Sequence, residues 1–259
     1  MNPNAAMENA TLPVISLAGE ATRTAEALGV SFRRYGFALV GDHGIDPALI
    51  EQAWTLTQAL FALPEAEKRG YHAESLAGAR GYTPFGTEIA KGATHRDLKE
   101  FWHTGRDLPP GHRYRVVMPD NVWPAEVAGF QAHVGALFGA LDAMGAKLLE
   151  AIAADLGLSR GFFADKVDIG NSVLRLLHYP PVSAEASGVR AGAHEDINVI
   201  TLLLGAEEAG LEVRTRDGQW LAITPPDGAL VVNVGDMLQR LTNHALPSTT
   251  HRVVNPAPE

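Results

Sequence analysis

Two histidines and an aspartate occupy positions at which they could share a metal ion. His194 and Asp196 stand one residue apart in Ala193-His194-Glu195-Asp196-Ile197, and His251 lies far downstream in Ser248-Thr249-Thr250-His251-Arg252-Val253. On an extended strand alternate side chains share a face, so His194 and Asp196 are expected to point the same way. An imidazole delivered by a distant strand completes two nitrogens and one carboxylate oxygen with other positions open, the donor set of non-haem Fe(II) oxygen chemistry. His-x-Asp alone is weak: ten His and thirteen Asp in 259 residues supply about half an occurrence by chance. His95-Arg96-Asp97 is such a second match, and its polar segment, residues 92–100, reads as a solvated loop. His194-x-Asp196 instead leads into the apolar run 197–204, and His251 opens an apolar strand, whereas His244 lies in the loop-like Thr242-Asn243-His244-Ala245-Leu246-Pro247.

The elements that must position these residues follow from periodicity. Short strands are expected at residues 12–15 and 36–40, the latter closed by the turn Gly41-Asp42-His43-Gly44. Asp46 caps a helix with Pro47 at its first position and Ile50, Trp54, Thr57, Leu60 and Phe61 on one face, ending before Pro64. A longer helix is expected from near Pro124 to Gly157, with Val127, Phe130, Val134, Leu137, Leu141, Met144, Leu148 and Ile152 at spacings of three or four. From residue 173 the pattern changes to strands at 173–179, 197–204, 211–215, 220–224, 229–234 and 251–255, with a hairpin turn at Arg216-Asp217-Gly218-Gln219. Helices followed by short strands favour a mainly β fold, an antiparallel barrel or jelly roll preceded by a helical layer, over a parallel βαβ sheet.

Composition narrows the partners. The chain is long enough for one large core, and 46% hydrophobic with 20% charged residues is that of a globular protein. With 21 basic against 30 acidic residues the net charge is −9, and no Lys/Arg run could track a phosphate backbone, so nucleic acid is not an expected partner. The absence of cysteine excludes disulfides, thiolate metal sites and a cysteine nucleophile. No apolar run approaches membrane-spanning length and residues 1–11 lack signal-peptide character, so the chain reads as cytoplasmic, with no membrane partner and no signal of oligomeric state.

The sequence resembles the 2-oxoglutarate/Fe(II)-dependent dioxygenases, in the branch similar to isopenicillin N synthase. The N-terminal part carries the likeness through Leu12-Pro13-Val14-Ile15, Tyr35-Gly36-Phe37, His43-Gly44-Ile45 and Phe61-Ala62-Leu63-Pro64, and the middle through Arg80-Gly81-Tyr82 and Asp97-Leu98-Lys99-Glu100. The C-terminal half carries it through Tyr179-Pro180, His194-x-Asp196, Asn233-Val234-Gly235-Asp236-Met237-Leu238 and Ser248-x-x-His251-Arg252-Val253.

The resemblance implies three regions: residues 1–120, an N-terminal helical and strand region; 121–172, a helical layer; and 173–259, a double-stranded β-helix (jelly-roll) core. It implies iron held by His194, Asp196 and His251, with dioxygen and 2-oxoglutarate consumed to hydroxylate, desaturate or cyclise a small-molecule substrate. An Fe(II) oxidase of the same fold that needs no oxo acid, and a non-catalytic metal-binding relative, are the alternatives. Tyr179 matches the family's oxo-acid contact. The position where plant relatives often carry Asn holds Leu177, so Arg175, on the Tyr179 face of its strand, is the replacement candidate for an anion, either the co-substrate or an acidic substrate. Pairing of Arg175 with a nearby carboxylate is the equally weighted alternative. Family members carry Arg-x-Ser shortly after the distal histidine. Here Glu259 stands eight residues past His251, so the expectation is a longer natural chain whose last strand or strands lie beyond it. Tyr82, Phe85, Glu88, Lys99, Trp102 and His103 are candidate pocket residues better explained singly by packing, and Asn198 and Asn243 are candidate supports for the ligands.

Overall fold

A computed structural model describes residues 12–89, 95–181, 188–205 and 210–255. In chain order the elements are β1 (Val14–Ser16), α1 (Ala21–Tyr35), β2 (Phe37–Gly41), α2 (Pro47–Phe61), α3 (Glu65–Gly70), β3 (Gly81–Thr83), β4 (Glu100–Gly105), α4 (Phe130–Asp155), α5 (Ala164–Val167) and β5 (Val173–His178). They continue with β6 (Ala191–His194), β7 (Ile200–Leu204), β8 (Leu211–Arg214), β9 (Trp220–Ala222), β10 (Leu230–Val234), α6 (Asp236–Leu241) and β11 (His251–Val253). The chain gathers into two compact units: Met1–His43 with Ala151–Leu158 and Ala193–Glu259, and Gly44–Glu150 with Ser159–Gly192.

The first unit is the jelly-roll part. Its strands form two four-stranded sheets, β1-β2-β10-β7 and β6-β11-β8-β9. β1 runs parallel to β2, while β10 pairs antiparallel with both β2 and β7. β10, Leu230-Val231-Val232-Asn233-Val234, is buried along its whole length, as a central strand covered on both faces must be. Phe37, Leu39 and Val231 from one sheet and Val213 from the other share one core cluster with Leu12 and Ile223, which flank β1 and β9. Neither sheet closes into a barrel among the described residues. The hairpin at Arg216-Asp217-Gly218-Gln219 joins β8 to β9 as expected, with Gly218 at φ 84°.

Helix α1 was not expected. Its signal was present in Ala25, Leu28 and Phe32 at spacings of three and four, interrupted by polar residues. Glu20 caps it by accepting from the Thr22 and Arg23 amides, and Gly36 ends it at φ 71°, where a Cβ would lie 2.2 Å from Thr249 Oγ1. Arg33 in its last turn pairs with Asp155 through both guanidinium nitrogens at 2.6 and 2.8 Å.

The second unit holds α2, α3, residues 130–150 of α4, and the sheet β3-β4-β5. Asp46 and Pro47 start α2 as read, but the buried stripe is Ala53, Leu56, Thr57, Leu60 and Phe61, with Trp54 exposed at its edge. The long helix begins at Phe130 and not near Pro124, because Gly129 at φ 81° breaks the helical path before it. Leu60, Tyr82, Trp102, Phe130, Val134 and Leu176 form the centre of this unit's core. Strands β3 and β4 were unforeseen. All six residues of β4 are buried although three are Glu100, His103 and Thr104, so the polar letters hid a central strand. Of the segment read as a solvated loop around His95-x-Asp97, residues 92–94 lie outside the described residues and 95–99 form neither helix nor strand, but its solvation does not hold throughout. His95 is exposed, but Asp97 is buried, accepting from Lys99 Nζ (2.8 Å) and the Gly192 amide (3.0 Å).

His103 gives this unit an acid-sensitive point. Its Nδ1 donates to Gly78 O, so the neutral ring presents a bare Nε2 that accepts from Arg175 Nε at 2.7 Å. Burial, and then the Arg175 charge, lower its pKa from 6.5 to about 4. Between those values the unfolded chain binds a proton that the native state refuses, so stability falls as pH drops through that window. The full effect is about 3 kcal/mol. The unfolding free energy from urea titration is expected to fall by that amount between pH 6.5 and 4, and to fall less in His103→Gln, whose amide keeps one donor and one acceptor; equal slopes for both proteins would refute the assignment.

Candidate active site

The three residues singled out as metal ligands come together in the first unit. One ligand atom from each of His194, Asp196 and His251 lies within 4.8 Å of the others. Asp196 Oδ1 is 3.7 Å from His194 Nε2 and 3.9 Å from His251 Nε2. The route differs from the one the spacing suggested. β6 ends at His194, Asp196 lies beyond it in a loop, and β7 starts only at Ile200, with Ile197 76% exposed. Strand alternation therefore does not align His194 with Asp196. The loop is laced to the turn after β10: the Gly235, Asp236 and Met237 amides donate to Val199 O, Asp196 O and Asn198 O at 3.0, 2.7 and 3.1 Å. A Cβ on Gly235 would sit 2.1 Å from Asn198 O, so this lacing requires glycine there.

Hydrogen bonds also fix which atom Asp196 and His251 offer. Asp196 Oδ2 accepts from Asn233 Nδ2 (2.9 Å) and from the Thr201 hydroxyl, leaving Oδ1 toward the two imidazoles. Burial would raise the Asp196 pKa, but Asn233, Thr201 and then the two histidines outweigh it and lower it, so the group stays an anion. His251 Nδ1 donates to Thr249 O at 3.1 Å, which leaves Nε2 unprotonated, and Phe37 packs edge-on against its ring with centroids 5.3 Å apart. Burial first, and His194 second, lower the His251 pKa and favour the neutral ring a metal needs. Two imidazoles and one carboxylate oxygen, with the second oxygen of Asp196 and Nδ1 of His251 tied to the protein, fit an Fe(II) ion. Asn233 and Thr201 were missed by sequence reasoning. The signal was a lone amide inside the otherwise apolar β10. Asn198, which was anticipated, donates to Thr201 Oγ1 at 2.8 Å and so supports the same chain of bonds.

The remaining residues singled out each have surroundings of their own. Arg252 stacks on Trp220 at 4.0 Å and donates to Glu212 at 2.6 Å, a structural charge pair. His43 contacts Gly228 O through Nε2, as a turn residue should. His244 is exposed, in a left-handed conformation at φ 63°. In the second unit Tyr82 and Trp102 are fully buried core residues. There Arg175 pairs across β5 and β4 with His103, in register, and with Glu88. Burial pushes the Tyr179 hydroxyl up to about 12 despite the Arg175 and Arg190 charges nearby, so it is a donor at any physiological pH.

Comparison with known proteins gives the family. Residues 12–126 match the family described as non-haem dioxygenase in morphine synthesis N-terminal, and residues 170–259 match the 2OG-Fe(II) oxygenase superfamily. The chain is 35% identical over 242 residues to the proline hydroxylase buaE of Petromyces alliaceus, covering 88% of this chain and 74% of that protein. A crystal structure of a 2OG-Fe(II) oxygenase family protein from Caulobacter crescentus shares 60% identity at a TM-score of 0.89, over 95% of this chain and 81% of that one. A full-length Neurospora crassa protein, crystallised in complex with alpha-KG, shares 32% identity at a TM-score of 0.86, over 98% and 82%. The chain belongs to the 2OG-Fe(II) oxygenase superfamily. It is an Fe(II)- and 2-oxoglutarate-dependent dioxygenase that uses O2 to oxidise a small molecule.

Proposed function

We propose that His194, Asp196 and His251 are the residues that hold the iron, and that Tyr179 contributes to binding 2-oxoglutarate. The observation that carries the metal assignment is the meeting of three ligand atoms within 4.8 Å, with the second oxygen of Asp196 and Nδ1 of His251 engaged by the protein. When bound, Fe(II) supplies the redox chemistry that couples decarboxylation of 2-oxoglutarate by dioxygen to oxidation of the substrate. The protein's share is to keep Asp196 ionised with one oxygen free, to keep His251 Nε2 unprotonated, and to hold both against reorientation. Three protein donors would leave room at the ion for the oxo acid and for dioxygen. Tyr179 suits a carboxylate because its hydroxyl stays protonated and donates. The substrate is proposed to be a free small molecule and not a nucleic acid, given the net charge of −9, and the setting cytoplasmic. No helix among the described residues is long and apolar enough to cross a membrane.

The test is succinate formation from 2-oxoglutarate in air. It is expected to require added Fe(II), to disappear with a chelator and to return on readdition of Fe(II). Succinate formation indifferent to chelation and to Fe(II) would refute the metal assignment.

A further inference from the structure

The second unit contains a paired cation arrangement that the metal site does not use. Arg175 is held on three sides. Its Nε donates to His103 Nε2, its guanidinium lies 4.3 Å above the Phe101 ring, and its backbone is fixed in the β4–β5 pairing. The remaining edge presents both terminal nitrogens, and each donates to one oxygen of Glu88 at 3.2 Å. Lys99, with 7% of its side chain exposed, reaches the same carboxylate at 3.0 Å, and Asp97 at 2.8 Å. Arg175 and Lys99 thus converge on one carboxylate from two directions, the pattern of a bidentate receptor reinforced by a second charge.

The carboxylate they hold belongs to a side chain that remains 34% exposed. The Glu88 backbone is anchored separately, its carbonyl accepting from the Asp97 amide at 3.0 Å, so rotation of the side chain alone empties the receptor. Glu88 aside, no carboxylate among the described residues forms an ion pair with Arg175. Burial raises the Glu88 pKa, but Arg175 and then Lys99 overcome it and keep the group ionised, so its competition is with other anions.

We propose that Arg175 and Lys99 form a receptor for a ligand carboxylate, with Glu88 as its exchangeable internal occupant, which makes a carboxylic acid the ligand class of this site. This rests on the reading of the chain as an oxygenase, whose carboxylate ligand is either an acidic prime substrate or the oxo acid. A ligand carboxylate that displaces Glu88 recovers the same pairing with Arg175 and Lys99, and an uncharged isostere recovers little of it.

The probe is phenylacetate beside its uncharged counterpart phenylacetamide, titrated calorimetrically into the full chain. Glu88→Gln removes the competitor's charge and is expected to tighten phenylacetate binding several-fold without changing phenylacetamide. Adding Arg175→Gln is expected to weaken the acid roughly ten- to hundredfold, since a charge-assisted bidentate pair is lost. Thermal melting of each variant separates this from misfolding. If Glu88→Gln binds the acid no more tightly than the parent, or if the gain survives Arg175→Gln, the receptor does not exist. The KM for 2-oxoglutarate in Glu88→Gln distinguishes the two sources: it is unchanged when the prime substrate is the ligand and falls when the oxo acid is. Because binding is read without turnover, its failure is distinct from a failure to form succinate.

Discussion

Replacing His251 with alanine is expected to lower 2-oxoglutarate consumption on the order of a thousandfold, about 4 kcal/mol of transition-state stabilisation. Among the described residues, three protein atoms converge on the proposed iron position, and His251 Nε2 is the one delivered from the far end of the sequence. Losing it leaves a histidine and a carboxylate, too few donors to hold a ferrous ion firmly. The fold should survive, because β11 pairs with β8 through its backbone, His251 opposite Val213, and alanine keeps that pairing. What is lost is the ring contact with Phe37 and the bond to Thr249 O. The measurement is succinate formation at saturating Fe(II) together with circular dichroism. Retention of more than a tenth of the activity by a folded variant would exclude His251 as a ligand.

The second large effect is on stability and lies in the second unit. Lys68 on α3 and Glu100 on β4 are both buried, with Nζ at 2.8 and 3.0 Å from the two carboxylate oxygens and 3.3 Å from Phe61 O. Glu100 also accepts from His178 Nδ1 at 2.6 Å and from the Tyr82 hydroxyl. Burial would raise its pKa, yet the bonds from His178, Lys68 and Tyr82 bring it down to about 2. Lys68→Met keeps the apolar stem and removes the charge, leaving the Glu100 anion buried with one partner fewer. Breaking such a pair costs about 3–5 kcal/mol, or roughly 6–20 °C in melting temperature for a chain of this size. Adding Glu100→Gln to Lys68→Met should recover part of that loss, because the uncompensated charge is gone. A Lys68→Met protein that melts with the parent would show that the pair contributes nothing.

The candidate metal site was legible because its three residue types are chemically distinctive and the neighbouring strands β7 and β10 are strongly apolar. His194, Asp196 and His251 were named from residue type and neighbouring pattern, and the structure brings them together. The reason given for His194 and Asp196 was the wrong one, since Asp196 lies in a loop whose course depends on backbone bonds to residues 235–237 that no side-chain pattern reveals. Helix α2 was legible in its Asp46-Pro47 start, yet Trp54 proved exposed because periodicity marks a stripe and not its edges. Strand β4 was illegible for a physical reason. Its Glu100 and His103 are buried polar groups satisfied by Lys68, His178, Gly78 and Arg175, partners distant in sequence, and a strand that buries charge looks like a surface loop when read alone. The same blindness hid Asn233 and Thr201, whose work is to tie one oxygen of Asp196.

The most direct measurement is anaerobic titration of the protein with Fe(II) in the presence of 2-oxoglutarate, followed by the visible charge-transfer absorption of the iron–oxo-acid complex. The expected result is a band that saturates at one iron per chain and is absent from Asp196→Ala, His194→Ala and His251→Ala proteins that remain folded. A parent protein that gives no band, or folded variants that give the parent's band at the parent's affinity, would contradict the assignment of the iron to these three residues.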